Sequence, residues 1–238
     1  MSSHLTYLIT GANRRIGKGF TASLLQRPST TVIATAAGSK VIIVKLDSQA
    51  ESDAANAVLQ LQEEYGITSL DVVIANAGIA HSGNRIAENS TEAIRDHFNT
   101  NTIGPVLLFQ AVQPLLKASK SGSPIFIAIS TLIGSIGGQE SLAGFPAKFS
   151  PYGASKAASN WFIRRIHFDE PWLTSFVFHP GLVLTDMAST VSGPGVNPVT
   201  LGAITVDVSV NGMLKTMESA SREISGTLQN YDGATLPW

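Results

Sequence analysis

The chain has 238 residues, a formal net charge of −1 and no cysteine. A balance this close to neutral gives no hint of affinity for nucleic acid or a membrane surface, and the lack of thiols excludes disulfides, thiolate metal sites and cysteine nucleophiles. Hydrophobic residues make up 44% and charged residues 14%, proportions that suit a largely buried parallel sheet within one α/β domain over residues 1–238. The start, Met1-Ser2-Ser3-His4, carries neither a basic region nor an apolar stretch of signal-peptide length, and no segment has the length to span a bilayer. A soluble, cytoplasmic protein is expected.

The first predicted strand covers 5–10. It runs into Thr10-Gly11-Ala12-Asn13-Arg14-Arg15-Ile16-Gly17-Lys18-Gly19, and an amphipathic stretch predicts a helix over 16–26, ending before Pro28. Strand, glycine-bearing turn and helix open a dinucleotide-binding unit. The helix N-terminus offers N–H groups and the positive end of a dipole to a pyrophosphate, and glycine lets the backbone approach closely. Strands over 31–36 and 41–46 come next, separated by only Ala37-Gly38-Ser39-Lys40. A parallel crossover needs about a dozen or more residues, whereas four extended residues reach about 14 Å. Either the third strand is antiparallel or displaced, or residues have been lost from this connection.

Helices are then predicted over 49–65, 90–118, 152–168 and 205–220, and strands over 70–75, 124–130, 174–179 and 226–230. Alternation of this kind implies a doubly wound, mostly parallel sheet with helices on both faces, a Rossmann-type architecture with an abnormally short second-to-third strand connection. The stretch from Gly134 to Pro146 and Gly193-Pro194-Gly195 read as loops flanking an active site. Tyr152-Gly153-Ala154-Ser155-Lys156 places a phenol and an ammonium one helical turn apart on the same face. A free tyrosine has a pKa of about 10, and a nearby cation favours the phenolate, so Lys156 is expected to lower that value. His4, His81, His97, His167 and His179 show no metal-ligand spacing, and no metal site is expected.

Together these motifs resemble the short-chain dehydrogenase/reductase family nearly end to end. The glycine motif falls on Thr10, Gly11 and Gly17, the Asn-Ala-Gly motif on Asn76-Ala77-Gly78, and the helix asparagine on Asn101. The Tyr-x-x-x-Lys pair falls on Tyr152 and Lys156, and the Pro-Gly motif on Pro180-Gly181 with Val183 and Thr185 following. Asn230-Tyr231-Asp232-Gly233 with Pro237-Trp238 is similar to the fungal carbonyl-reductase branch that includes ketoreductases of the norsolorinic-acid type. The resemblance implies that Tyr152 exchanges a proton with the substrate oxygen. It implies that Lys156 lowers the phenol pKa and holds the nicotinamide ribose, and that Asn101 anchors a proton-relay water. Gly11, Asn13, Arg14, Ile16, Gly17, Asp47, Asn76, Tyr152, Lys156, Val183 and Thr185 would bind the cofactor.

Three positions depart from the family pattern. Arg15 stands where the middle glycine of the nucleotide motif sits; it either obstructs the pyrophosphate or swings out to neutralise phosphate. Asp47, expected beside adenine, follows the shortened connection and reads equally as a surface or capping carboxylate. The family's substrate-binding serine is replaced by Thr131 in Ser130-Thr131-Leu132-Ile133-Gly134, and the longer loop before Tyr152 leaves Ser130 as an alternative. Thr35-Ala36-Ala37 offers no carboxylate for a ribose 2′-hydroxyl, while Arg14, Arg15 and Lys40 would attract a 2′-phosphate. NADP(H) is therefore the expected cofactor. The expected activity is hydride transfer between NADP(H) and a small-molecule carbonyl or alcohol, with an aromatic or polyketide ketone of secondary metabolism implied by the resemblance and a homo-oligomer by the relatives' habit. A non-redox cyclase or lyase, or a weakened NADP-binding pseudo-enzyme, are the rival readings.

Overall fold

Alternation along the first apolar run dictates two buried faces. On β1 (Leu5–Ile9), Leu8 joins one core layer while Tyr7 and Ile9 join the other, as period-two side chains must. The computed structural model describes residues 4–34, 41–81, 85–144, 150–192 and 195–238. Its strands are β1, β2 (Thr30–Ala34), β3 (Ile42–Ile43), β4 (Val72–Ala75), β5 (Ile125–Ile129), β6 (Thr174–His179), β7 (Leu228–Asn230) and β8 (Thr235–Leu236). They form one sheet in the order β3-β2-β1-β4-β5-β6-β7-β8. Every pairing is parallel except β7 with β8.

The helices are α1 (Arg15–Leu25), α2 (Asp53–Glu63), α3 (Thr91–Phe98), α4 (Gly104–Lys117), α5 (Gln139–Leu142), α6 (Ser150–Asp169), α7 (Asp186–Ser192) and α8 (Val206–Glu218). Phe20 and Leu24 of α1 and Val210, Met213, Leu214 and Met217 of α8 cover one face. Residues of α2, α4 and α6, among them Leu61, Leu108, Val112 and Ile163, cover the other. Asp71, buried at the start of β4, is satisfied by the Thr6 N–H at 2.8 Å, the Ser121 N–H at 3.1 Å and the Ser119 hydroxyl at 2.6 Å, so its charge anchors the strand's N-terminal end.

Two expectations are corrected. The third strand is parallel: Ile42 pairs with Ile33 and Ile43 with Ala34. It is also displaced and far shorter than 41–46, because its register lies at the end of β2 and the chain has only to step to the neighbouring strand position, about 4.8 Å away. The connection itself, residues 35–40, lies outside the described residues. The single helix expected over 90–118 is instead α3, a π-helical turn (Asn99–Ile103) and α4. The sequence reason is Pro105, which has no N–H to give the carbonyl four residues back, that of Asn101. The strand β8 and the helices α5 and α7 were not legible, being too short for a periodic signal.

Candidate active site

Beyond the carboxyl ends of the strands, where the order reverses between β1 and β4, lies a cleft of about 510 Å³. Crevices at such switch points are where doubly wound sheets bind ligands. Its walls come from the turn after β1 (Gly11 to Gly17), the segment after β4 (Asn76 to Ile79), Ser130 after β5, Pro180 and Thr185 after β6, and Tyr152 and Lys156 of α6.

The glycine turn is built to be thin. Gly11 has φ +63, and a Cβ there would lie 2.9 Å from the Ala77 Cα. A Cβ on Gly17 would come within 2.3 Å of the Gly11 carbonyl oxygen and 2.6 Å of the Asn76 Nδ2. Asn76 turns its amide inward rather than across the cleft: Nδ2 donates to the carbonyls of Thr10 at 2.8 Å and Gly11 at 3.2 Å. The Thr10 hydroxyl in turn accepts from the backbone N–H groups of Asn76 and Ala77, each at 3.0 Å. Asn76 and Thr10 therefore staple β1 to β4 and set the turn's shape. Gly17→Ala is expected to lose about 1–3 kcal/mol of stability through overpacking, and dinucleotide binding with it. Thermal melts alongside a cofactor titration check this.

Asn13, Arg14 and Ile16 all line the cleft. Arg14 occupies the N-cap of α1 with an extended backbone and makes no side-chain cap bond. By contrast, Ser90 and Thr205 cap α3 and α8 with their hydroxyls. Arg15 adopts φ +52, a left-handed conformation that costs a bulky residue roughly 1–3 kcal/mol. Its guanidinium reaches Asp186 at the start of α7, Nη2 to Oδ2 at 2.7 Å. Asp47 lines the cleft but turns its Oδ1 to the Gln49 N–H at 2.9 Å, closing a turn six residues before α2. It is not that helix's cap, which is Ser52. Residues 35–37 and Lys40, invoked for cofactor preference, lie outside the described residues, as do 145–146 and 193–194 of the two expected loops.

At the other end, the first turns of α6 present Tyr152 and Lys156 to the cleft, both buried. The Lys156 Nζ donates to the Ile129 carbonyl at 2.7 Å. Between them Ser155, fully buried, donates to the Tyr152 carbonyl at 2.8 Å and accepts from the Asn101 Nδ2 at 3.0 Å. The Thr102 hydroxyl donates to the Ser155 carbonyl at 2.8 Å. The π-helical turn is thereby bolted to α6, an irregularity of a kind that recurs at functional sites. Asn101 itself does not line the cleft. Its remaining amide hydrogen goes to the Ile79 carbonyl and its oxygen accepts from the Ile79 N–H, both at 2.9 Å, so the side chain is spent on holding the loop after β4.

Ser130 and Thr131 divide their duties. The Ser130 hydroxyl donates to the Asn160 Oδ1 at 2.5 Å, one turn beyond Lys156, and the Asn160 Nδ2 donates to the Gly134 carbonyl at 3.3 Å. The Thr131 hydroxyl accepts from the Ile133 N–H at 3.2 Å, which leaves its own hydrogen to give, and it acts on the Tyr152 phenol to favour the ionised form. Ser130 lines the cleft whereas Thr131 does not. Gly134 brings this segment against α6: a Cβ there would lie 2.7 Å from the Lys156 Cβ.

The electrostatics reverse one expectation. Burial pushes the Tyr152 phenol up to about 12, opposed by the Thr131 hydroxyl, and Lys156 is not among the groups acting on it. The Lys156 ammonium donates instead to the Ile129 carbonyl. Burial also pushes Lys156 down to about 8. A buried lysine with a depressed pKa binds its proton less readily folded than unfolded. Between about 8 and 10.5 the unfolded chain holds more protons at this position, so its contribution makes stability rise with pH there. The difference in unfolding free energy between wild type and Lys156→Met, measured from pH 7.5 to 11, is expected to shift in favour of the wild type as pH rises through that window.

Thr185 lines the cleft and donates its hydroxyl to the Val183 carbonyl at 3.2 Å. Val183 is buried and off the wall; its segment is bridged to Ile204. His97 is fully buried beside Tyr152, ring centroids 6.4 Å apart, with Nδ1 2.7 Å from the Ala93 carbonyl and Nε2 accepting from the His81 N–H at 3.3 Å. Burial pushes His179 down to about 4, which keeps that ring neutral. Among the described residues no group of three or more His, Cys, Asp or Glu could hold a metal ion, and no helix is long and apolar enough to cross a membrane. Sequence reasoning missed Ser155, Asn160 and Asp186. The first two sit three and eight residues after Tyr152, helical spacings that mark one face. Asp186 carried no local signal, because its partner is 171 residues away.

Similarity to known proteins runs along the whole chain. The profile of the short chain dehydrogenases matches residues 6–193. The chain is 38% identical to the norsolorinic acid ketoreductase of Dothistroma septosporum, covering 100% of this chain and 94% of that protein. It is 37% identical to the norsolorinic acid ketoreductase of Aspergillus parasiticus, covering 98% and 90%. Among solved structures it is similar to the NADPH-bound carbonyl reductase from chicken fatty liver, with a TM-score of 0.85, 30% identity and full coverage of both chains. Five motifs in order, a switch-point cleft and these matches lead to one conclusion: the chain belongs to the short-chain dehydrogenase family.

Proposed function

We propose that the protein is an NADP(H)-dependent ketoreductase, one NADP-binding domain acting on an aromatic or polyketide ketone of secondary metabolism. The observation that carries the proposal is the neutral Tyr152 phenol, buried at the cleft with the Thr131 hydroxyl beside it and Lys156 one turn on. The ketone class follows the ketoreductase relatives and the cofactor follows the NADPH-bound carbonyl reductase neighbour.

The residues present fit a phosphate-bearing dinucleotide. Gly11 and Gly17 line the cleft, and their lack of a Cβ lets the turn pack directly against Asn76 and Ala77. The uncapped start of α1 adds donors and a positive dipole end, and Arg14 adds a cation. When bound, NADP(H) supplies or accepts the hydride. Tyr152 gives its proton to the carbonyl oxygen as charge grows there, and a phenol with a pKa of about 12 holds that proton at neutral pH, which favours the reductive direction. Thr131 orients the same oxygen. Lys156 holds the ribose near the reacting carbon, while Asn101 and Ser155 keep α6 and the loop after β4 in register.

The test is the absorbance loss of NADPH and of NADH with a panel of aromatic ketones, beside fluorescence titrations of both cofactors. Turnover with NADPH and tighter binding of NADPH than NADH are expected. Binding without turnover on any ketone would favour the pseudo-enzyme, and equal affinities would remove the argument from Arg14.

A further inference from the structure

Arg15 lines the cleft and reaches from the glycine turn to Asp186 at the start of α7. The turn after β1 and the start of α7 both contribute to the same walls, through Arg14, Arg15 and Ile16 on one side and Thr185 and Met187 on the other. Between them runs the Arg15–Asp186 ion pair at 2.7 Å. Three features set this pair apart from an ordinary surface contact. The arginine is held at φ +52, where a glycine would be unstrained. Its Nε is buried with no hydrogen-bond partner, so one arm of the guanidinium fork is left over while the other holds the carboxylate. And the side chain of Asp186 is 87% exposed against 25% for Arg15, so the carboxylate can leave into water at little cost while the guanidinium stays at the cleft wall.

A guanidinium matches a phosphate as well as it matches a carboxylate, two donors to two oxygens. Asp186 is thus a resident anion on a cation that faces a phosphate cradle. Arg14 adds to the positive field on Asp186. We propose that Arg15 and Asp186 form an exchangeable latch, in which a phosphate of the bound cofactor displaces Asp186 from Arg15 and so releases α7 from the glycine turn. This rests on the NADP(H) reading above. The free protein spends affinity on the latch, since a ligand that must displace an internal partner binds only the released fraction.

The experiment is a double-mutant cycle read by NADPH fluorescence at low and high salt, on wild type, Asp186→Asn, Arg15→Gln and the double variant, with Arg15→Gly as a second removal of the charge and melts confirming that each folds. Asp186→Asn is expected to tighten NADPH by about two- to fivefold, the range of an exposed ion pair. Arg15→Gln and Arg15→Gly are expected to weaken NADPH by about tenfold, with a shallower salt dependence. In either Arg15 background, Asp186→Asn is expected to do nothing further. An equal gain from Asp186→Asn with and without Arg15 would make Asp186 a distant charge and overturn the exchange. No gain, or a loss, from Asp186→Asn in the presence of Arg15 would make the pair a fixed strut and overturn it as well. If the wild type binds no NADPH, the functional reading falls together with the latch; if it binds and the cycle is flat, only the latch falls.

Discussion

Tyr152→Phe is expected to lower turnover by about a hundred- to ten-thousand-fold, the usual worth of a positioned general acid. The ring keeps its packing against the buried His97, and Lys156 keeps its bond to the Ile129 carbonyl, so the cofactor should bind as before. The effect falls on the chemical step because, in the proposed mechanism, the phenol at the cleft gives its proton to the developing alkoxide. Paired measurements of kcat and of the NADPH dissociation constant check this. Near-wild-type kcat would end the mechanism, whereas a collapse of cofactor affinity alone would move Tyr152 from chemistry to binding.

The second large effect is expected at Thr131. Thr131→Val keeps the shape and removes the hydroxyl beside the phenol, and the loss of one donor to a developing oxyanion costs about a hundred- to a thousand-fold in kcat. Ser130→Ala should behave differently. Its hydroxyl is committed to the Asn160 Oδ1, so the variant should lose about 1–3 kcal/mol of stability through a buried unpaired acceptor, with the smaller change in kcat. Melting curves and initial rates on the two variants decide the matter. The reverse pattern, with kcat lost at Ser130 and kept at Thr131, would assign the substrate oxygen to Ser130.

Much of the molecule was legible from local pattern. The glycine turn, the Tyr-Lys spacing and the alternation of strands with helices each follow from residues within a dozen positions of one another, and the strands β1, β2 and β4 to β7 lie within a few residues of where the hydrophobic runs put them. At the site, two readings turned on packing and contacts made at long range. The phenol was expected to be pulled down by Lys156; burial pushes it up. Asn101 was expected to anchor a relay water; its side-chain amide bonds Ile79 and Ser155.

Sequence by itself determined the order of the elements, the parallel sheet, the family and the kinds of group that could do chemistry, since periodicity and short motifs are properties of neighbouring residues. Tertiary structure alone decided which of those groups face the cleft, in what protonation state, and with which partners. Hydrogen bonds such as Ser130 to Asn160 and ion pairs such as Arg15 to Asp186 join residues 30 and 171 positions apart. Desolvation, the cause of both large shifts in the Tyr152–Lys156 pair, is set by everything packed around a group rather than by its neighbours in the chain.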